Sequence, residues 1–287
     1  MCIQVPCVVR FHIRFFQFFG CFDVSLHPQP NQQKRAEHRL STWTYLLLLV
    51  FSLTTVNTFF RPGAFLFIWE GFGYFIDAFK VFMAQITITI IYMETVLCRC
   101  ALRKFWHRYT MLNQGPNGRG QTTEGDWLTQ LCVHRGFLSI FYGITVFDLI
   151  IQIAYIIMPP KDDHLLQFWV MFTPFMYLIH VRNMQIIFHI GIIRHELEKL
   201  RNDMGLIAEY TSFAQSVAPA VGFEDFVRRK LAEKQLVFQR IYEMFYYFKH
   251  AFGISTIAVL LMTYVQLVVD SYFVLHNQNR SWNHKGT

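Results

Sequence analysis

Long apolar runs separated by short polar stretches dominate this chain. Five blocks stand out, at about 43–60, 73–97, 136–158, 165–189 and 251–275. At roughly 1.5 Å per helical residue, each reaches across a hydrocarbon core about 30 Å thick. Runs of that length predict membrane-spanning helices rather than the elements of a water-soluble domain. The polar stretches carry a second pattern. Residues 1–42, 98–135 and 190–250 hold 5, 6 and 9 Lys or Arg, whereas 61–72, 159–164 and 276–287 hold 1, 1 and 2. Basic connections face the cytoplasm. The expected fold is therefore an all-α polytopic transmembrane bundle with five spans. It has a cytoplasmic N-terminal segment (1–42), cytoplasmic loops (98–135 and 190–250) and an extracellular tail (276–287). Asn279-Arg280-Ser281, an N-glycosylation acceptor pattern, lies in that tail, on the side where such patterns are used.

Composition fits a membrane protein. The chain is 53% hydrophobic, 17% aromatic and 16% charged, against about 25% charged for a soluble domain. Its net charge of +7 sits in loops beside the anionic inner leaflet, which points to membrane lipids and away from nucleic acid. The first 22 residues are apolar but broken by Arg10, His12 and Arg14, unlike a secretory signal. They read as an amphipathic helix on the inner face or a lead-in to the first span.

Nothing in the sequence argues for catalysis or a cofactor. All six cysteines (Cys2, Cys7, Cys21, Cys98, Cys100 and Cys132) fall on or near the cytoplasmic side, where disulfides are not expected. Cys98-Arg99-Cys100 and Cys132-Val133-His134 leave one residue between ligands, whereas zinc sites favour gaps of about two to four. Reduced packing thiols or acylated thiols fit better than a metal. The glycine-containing GPNGRGQTTEGDW lacks the GK[ST] ending of a phosphate loop and reads as a flexible connection. No histidine clusters of the membrane di-iron type, no Ser/His/Asp set and no paired carboxylates stand out.

Ionisable residues inside spans are costly and mark candidate functional positions. Asp77 and Lys80 lie three apart and share a helix face. Asp148 in the third span lies at a depth where it can reach Lys80, either fixing helix register or lining a ligand cavity. Arg182 is expected to snorkel to the inner headgroups, and Pro174 to free a mid-span carbonyl. Asp270 and Gln266 are expected only to touch the outer interface. The six-residue connection 159–164 makes the third and fourth spans antiparallel neighbours. Before the fifth span, Val227, Leu231, Phe238, Ile241, Phe245 and Phe248 form one helical stripe that needs a partner. That partner is either the extension of the fourth span or another subunit.

Several segments are similar to a known family: FFQFFGCFDV before the first span, METVLCRCALRKFW leaving the second, PFMYLIHVRNMQ in the fourth and FQRIYEMFYYFKHAFG entering the fifth. Together with the inward N-terminus, they resemble the insect gustatory receptor family. The family's TYhhhhhQ motif (h, hydrophobic) of the seventh helix is absent; Thr263-Tyr264 is followed by Gln266 at the wrong spacing. The chain reads as truncated after its fifth span. The resemblance implies a tastant-gated cation channel, assembled as a homo- or hetero-tetramer with other gustatory receptors in the plasma membrane of sensory neurons. It also implies a small-molecule pocket in the outer half, carried onto Lys80, Phe82, Gln152, Tyr155, Trp169, Phe172 and Tyr177. An odorant receptor of the same superfamily, a non-conducting form and an unrelated transporter are the alternatives.

Overall fold

The computed structural model describes residues 7–25, 30–60, 65, 71–113, 143, 145–147, 150, 153, 163–217 and 223–283. Most of the third apolar block and the glycine-containing loop lie outside them. Six helices carry the described chain: α1 (Cys7–Phe18), α2 (Pro30–Phe60), α3 (Gly71–Leu97), α4 (Arg99–Asn113), α5 (Asp163–Val217) and α6 (Phe223–Asn283). Of these, α2, α3, α5 and α6 contain stretches long and apolar enough to cross a membrane. The protein is a polytopic helical membrane protein. With 55 and 61 residues, α5 and α6 run about 80 and 90 Å, far beyond a hydrocarbon core of about 30 Å.

The solvent of a span is lipid, so its apolar face turns outward and its polar groups turn in. On α3, Phe75, Phe79, Phe82, Ile86, Met93 and Leu97 recur every three, four or seven residues and are exposed. Asp77, Lys80, Ala84, Ile88, Ile91 and Glu94 occupy the opposite, buried face. Between α2 and α3, Gln85 accepts from Thr55 at 2.8 Å and donates to Ser52 at 3.0 Å.

The N-terminal segment is built into the bundle. Helix α1 buries Val9, His12, Ile13 and Phe16 and leaves Phe11 and Phe18 exposed. His12 stacks on Phe188 of α5 at 5.0 Å. The helix ends because Gly20 takes φ = 68°, a left-handed conformation that only glycine adopts cheaply. Cys21 N donates to Phe16 O at 2.9 Å and Gly20 N to Gln17 O at 3.0 Å, the two bonds of a Schellman cap. The carbonyls at this end lack helical donors, and side chains from other helices supply them. Trp43 Nε1 bonds the Phe18 carbonyl at 2.8 Å, Tyr92 Oη that of Phe19 at 3.3 Å and Thr44 Oγ1 that of Gly20 at 3.2 Å.

Beyond the apolar stretches α4 packs along α6. Arg108 Nε meets Glu243 Oε2 at 2.6 Å, Lys104 lies over the Tyr247 ring at 5.6 Å, and Arg240 donates to the Met111 carbonyl at 3.2 Å. The stripe on this part of α6 is offset from the sequence expectation. Ile241 and Met244 are buried, while Leu231, Phe238 and Phe245 stay exposed. The buried part of this face packs along α4, and Lys234 pairs with Asp203 of α5. Lysine and arginine stems thus cover surface that a purely apolar count leaves out.

Two predictions follow from the N-terminal segment. A Cβ at Gly20 lies 2.9 Å from Leu47 Cδ1 and 3.1 Å from Tyr92 Cε1, besides the φ strain. Gly20→Ala is expected to cost about 1–3 kcal/mol, read as a lower melting temperature of the detergent-solubilised protein. Asp23, buried in the loop after α1, accepts from Ser41 at 2.6 Å with Arg99 at 4.0 Å. Burial pushes its carboxyl up to about 6, the Ser41 bond and Arg99 opposing only in part. A raised folded-state pKa gives stability that is full below the unfolded value near 3.8 and is lost as pH rises through about 6. Asp23→Asn keeps an acceptor for Ser41 without the charge. Its melting temperature relative to the parent is expected to climb between pH 4 and pH 7 (about the window of the shift) and to level off above it.

Candidate functional site

Two polar clusters occupy the interior of the spans. The inner one centres on Arg182 of α5, which is 1% exposed. Its Nη2 meets Glu94 Oε2 of α3 at 2.9 Å, Ser255 Oγ of α6 at 2.9 Å and the Ala251 carbonyl at 3.3 Å. Nη1 donates to Gln185 Oε1 at 2.8 Å and to the Cys21 carbonyl at 3.4 Å, and Nε donates to Ser255 at 3.0 Å. Its Cζ lies over the Phe252 ring, 4.4 Å from the centroid. Arginine suits this position because its planar fork addresses several acceptors at once.

Glu94 completes the cluster from the other side. Its two oxygens accept the backbone N–H groups of Ile254 and Ser255 at 2.9 and 3.0 Å. In a regular helix those amides donate four residues back, to His250 and Ala251. The ion pair is therefore stitched to one turn of the α6 backbone, with carboxylate on its amides and guanidinium on its carbonyl. Gln185 Nε2 adds a bond to the Cys21 carbonyl at 2.9 Å. One turn farther along α5, His189 is fully buried, with its Nδ1 2.8 Å from the Gln185 carbonyl, so that Nδ1 carries the hydrogen. Phe22, Phe105, Trp106, Phe188 and Phe252 surround it.

The outer cluster centres on Lys80 of α3, 1% exposed. Its Nζ lies 3.3 Å from Asp270 Oδ1 of α6 and 4.8 Å from the Phe172 ring centroid of α5. Gln266 donates to the other Asp270 oxygen at 2.6 Å. The Asp270 side chain is 53% exposed, so one side of this pair is open and the other closed.

These arrangements revise several sequence expectations. Arg182 does not snorkel: Glu94 and Ser255 lie within its reach, so it stays at depth. Asp270 is not confined to the interface, because Lys80 beneath it supplies an opposite charge. Asp148, Gln152 and Tyr155 lie outside the described residues, as do the side chains of Trp169 and Asn279. Phe172 is buried against Lys80, and Asp77 is buried one turn away. Phe82 is 53% exposed on the outward stripe of α3. Tyr177 packs at 5.4 Å against Phe19 of the N-terminal segment. Sequence alone places Gln185 and His189 among the polar residues of the fourth span; the parts played by Glu94 and Ser255 emerge only in the fold. An acid inside the second block, near its inner end like Arg182 in the fourth, was the available signal.

Removing one member of a buried, hydrogen-bonded ion pair leaves the other charge uncompensated. Arg182→Met is expected to destabilise by about 3–5 kcal/mol, and the double variant Arg182→Met/Glu94→Gln by less than the single one. Thermal unfolding of both in lipid nanodiscs checks the ordering.

The model of the 7tm Chemosensory receptor family matches residues 9–286. No curated protein and no solved structure matches the chain. With that match over nearly its whole length, and with buried ionisable groups joining apolar spans, the chain belongs to the 7tm chemosensory receptor family.

Proposed function

We propose that this chemosensory receptor is gustatory: a subunit of a tastant-gated cation channel. In this reading it lies in the plasma membrane of sensory neurons with its N-terminus in the cytoplasm and assembles with relatives as a tetramer. The observation that carries the reading is the outer cluster of Lys80, Asp270 and Phe172, which joins α3, α5 and α6. A buried charge with a half-open partner gives a small polar molecule something to compete for. A ligand that fits one arrangement of these three helices better than another shifts the population toward it. The inner cluster around Arg182 then carries any movement of α6 to α3, α5 and the N-terminal segment.

The test is calcium flux in cells expressing the chain, alone and with a longer family member, under a panel of tastants and volatiles. The expected result is a tastant response that needs the partner and falls at least about tenfold in potency in Lys80→Met, a loss of about 1.4 kcal/mol, at unchanged surface level. A response to volatiles alone assigns odorant reception instead. Orientation has its own readout. Cys100 is exposed at the start of α4, so a membrane-impermeant maleimide is expected to label it only after the plasma membrane is permeabilised.

A further inference from the structure

A cleft of about 520 Å³ opens between the end of α1 and the start of α2, lined by Gln17, Ser25, Gln32, Arg35, Ala36, Arg39 and Leu40. The α2 residues of this lining fall at the i, i+3, i+4, i+7 and i+8 positions of a helix and form one face. Gln17 Nε2 donates to the Val24 carbonyl at 2.9 Å and fixes the loop that walls the cleft. Charge is unevenly matched across α2. Its sequence holds Lys34, Arg35 and Arg39 but a single acid, Glu37. Glu37 is taken from the other side by Arg103 of α4 at 2.6 Å. Asp23, the acid of the adjoining loop, is occupied by Ser41 and lies toward Arg99. Arg35 and Arg39 thus line the cleft without a carboxylate partner among the described residues.

Depth identifies what they meet. Trp43 and Tyr45, 39% and 50% exposed, mark the level where aromatic side chains sit at a membrane interface. Arg39 and Arg35 lie one and two turns before Trp43, about 6 and 12 Å along the helix, which is headgroup level. Phe11 and Phe18 of α1, the helix whose end walls the cleft, are 59% and 68% exposed and offer an apolar edge for acyl chains. Arginine pairs bind phosphate oxygens bidentately. We propose that this cleft is a binding site for the phosphorylated headgroup of an anionic inner-leaflet phospholipid, held by Arg35 and Arg39. The site goes beyond ligand reception and rests on the cytoplasmic placement of the N-terminus, which the Cys100 labelling reports separately.

The test uses the full chain in detergent, titrated with short-chain phosphatidylinositol bisphosphate and followed by native mass spectrometry. The double variant R35Q/R39Q is expected to bind roughly thirtyfold more weakly, and each single variant roughly fivefold. Arg201→Gln, an exposed cytoplasmic arginine on α5, is expected to bind like the parent. Both cleft arginines are exposed, so the melting temperature is expected to stay unchanged; the single variants give the same reading if the double one is unstable. Unchanged binding in R35Q/R39Q and its single variants overturns the proposal, as does an equal loss in Arg201→Gln. Inositol trisphosphate without acyl chains displacing the lipid at equal concentration overturns the lipid assignment in favour of a free phosphate ligand.

Discussion

A guanidinium in hydrocarbon is among the costliest groups a span can carry, and the arrangement of this bundle follows from how that cost is offset. Arg182 brings five N–H donors to depth, and each of the surrounding elements contributes acceptors. Glu94 comes from α3, Ser255 and the Ala251 carbonyl from α6, Gln185 from its own helix and the Cys21 carbonyl from the N-terminal segment. Displacing any of these elements by a turn strands a charge or a donor where water cannot replace the partner. The pair is weak evidence for stability, since well-packed apolar residues often do as well. What it sets is register: where along its length α6 docks on α3 and α5.

Packing around the cluster supplies the attraction that the ion pair does not. Phe22, Phe105, Trp106, His189 and Phe252 meet just below Arg182, and all are almost fully buried. Here the N-terminal segment, α4, α5 and α6 converge, so the aromatic layer continues the bundle core past the end of the spans. Beyond it, the contacts between α4 and α6 include partly exposed ion pairs such as Arg108–Glu243, each worth little singly. The long arms of α5 and α6 are therefore held mainly at their roots.

The two intramembrane clusters differ in closure, and the difference suits different tasks. Arg182 and Glu94 are both buried and bonded on every side. Lys80 is equally buried, yet its partner Asp270 is half open and bonded by a neighbour on its own helix. A closed cluster holds helices in place; a half-open one can exchange its partner. Both join α3, α5 and α6, so a change at the outer pair is felt by helices that the inner one ties together.

The spans could be read directly from sequence because lipid is the solvent and runs of apolar residues answer to it whatever the neighbours are. Residues 73–97 or 251–275 need no partner to be recognised as crossing segments. Pairing is another matter. Depth alone puts Asp148, which lies outside the described residues, within possible reach of Lys80; it does not point to Asp270, on a helix almost two hundred positions later, which the fold brings to Lys80. Arg182 was expected to snorkel because its reach to the headgroups is a property of one side chain, whereas the Glu94 carboxylate and the α6 amides that hold it exist together only in the folded bundle. The stripe on α6 shifted for the same reason: its buried face is decided by where α4 and the lysine and arginine stems lie. Sequence determined which segments enter the membrane, through transfer energies that each residue carries by itself; only tertiary structure decided which charges meet, because that depends on the rotation and depth at which separate helices dock.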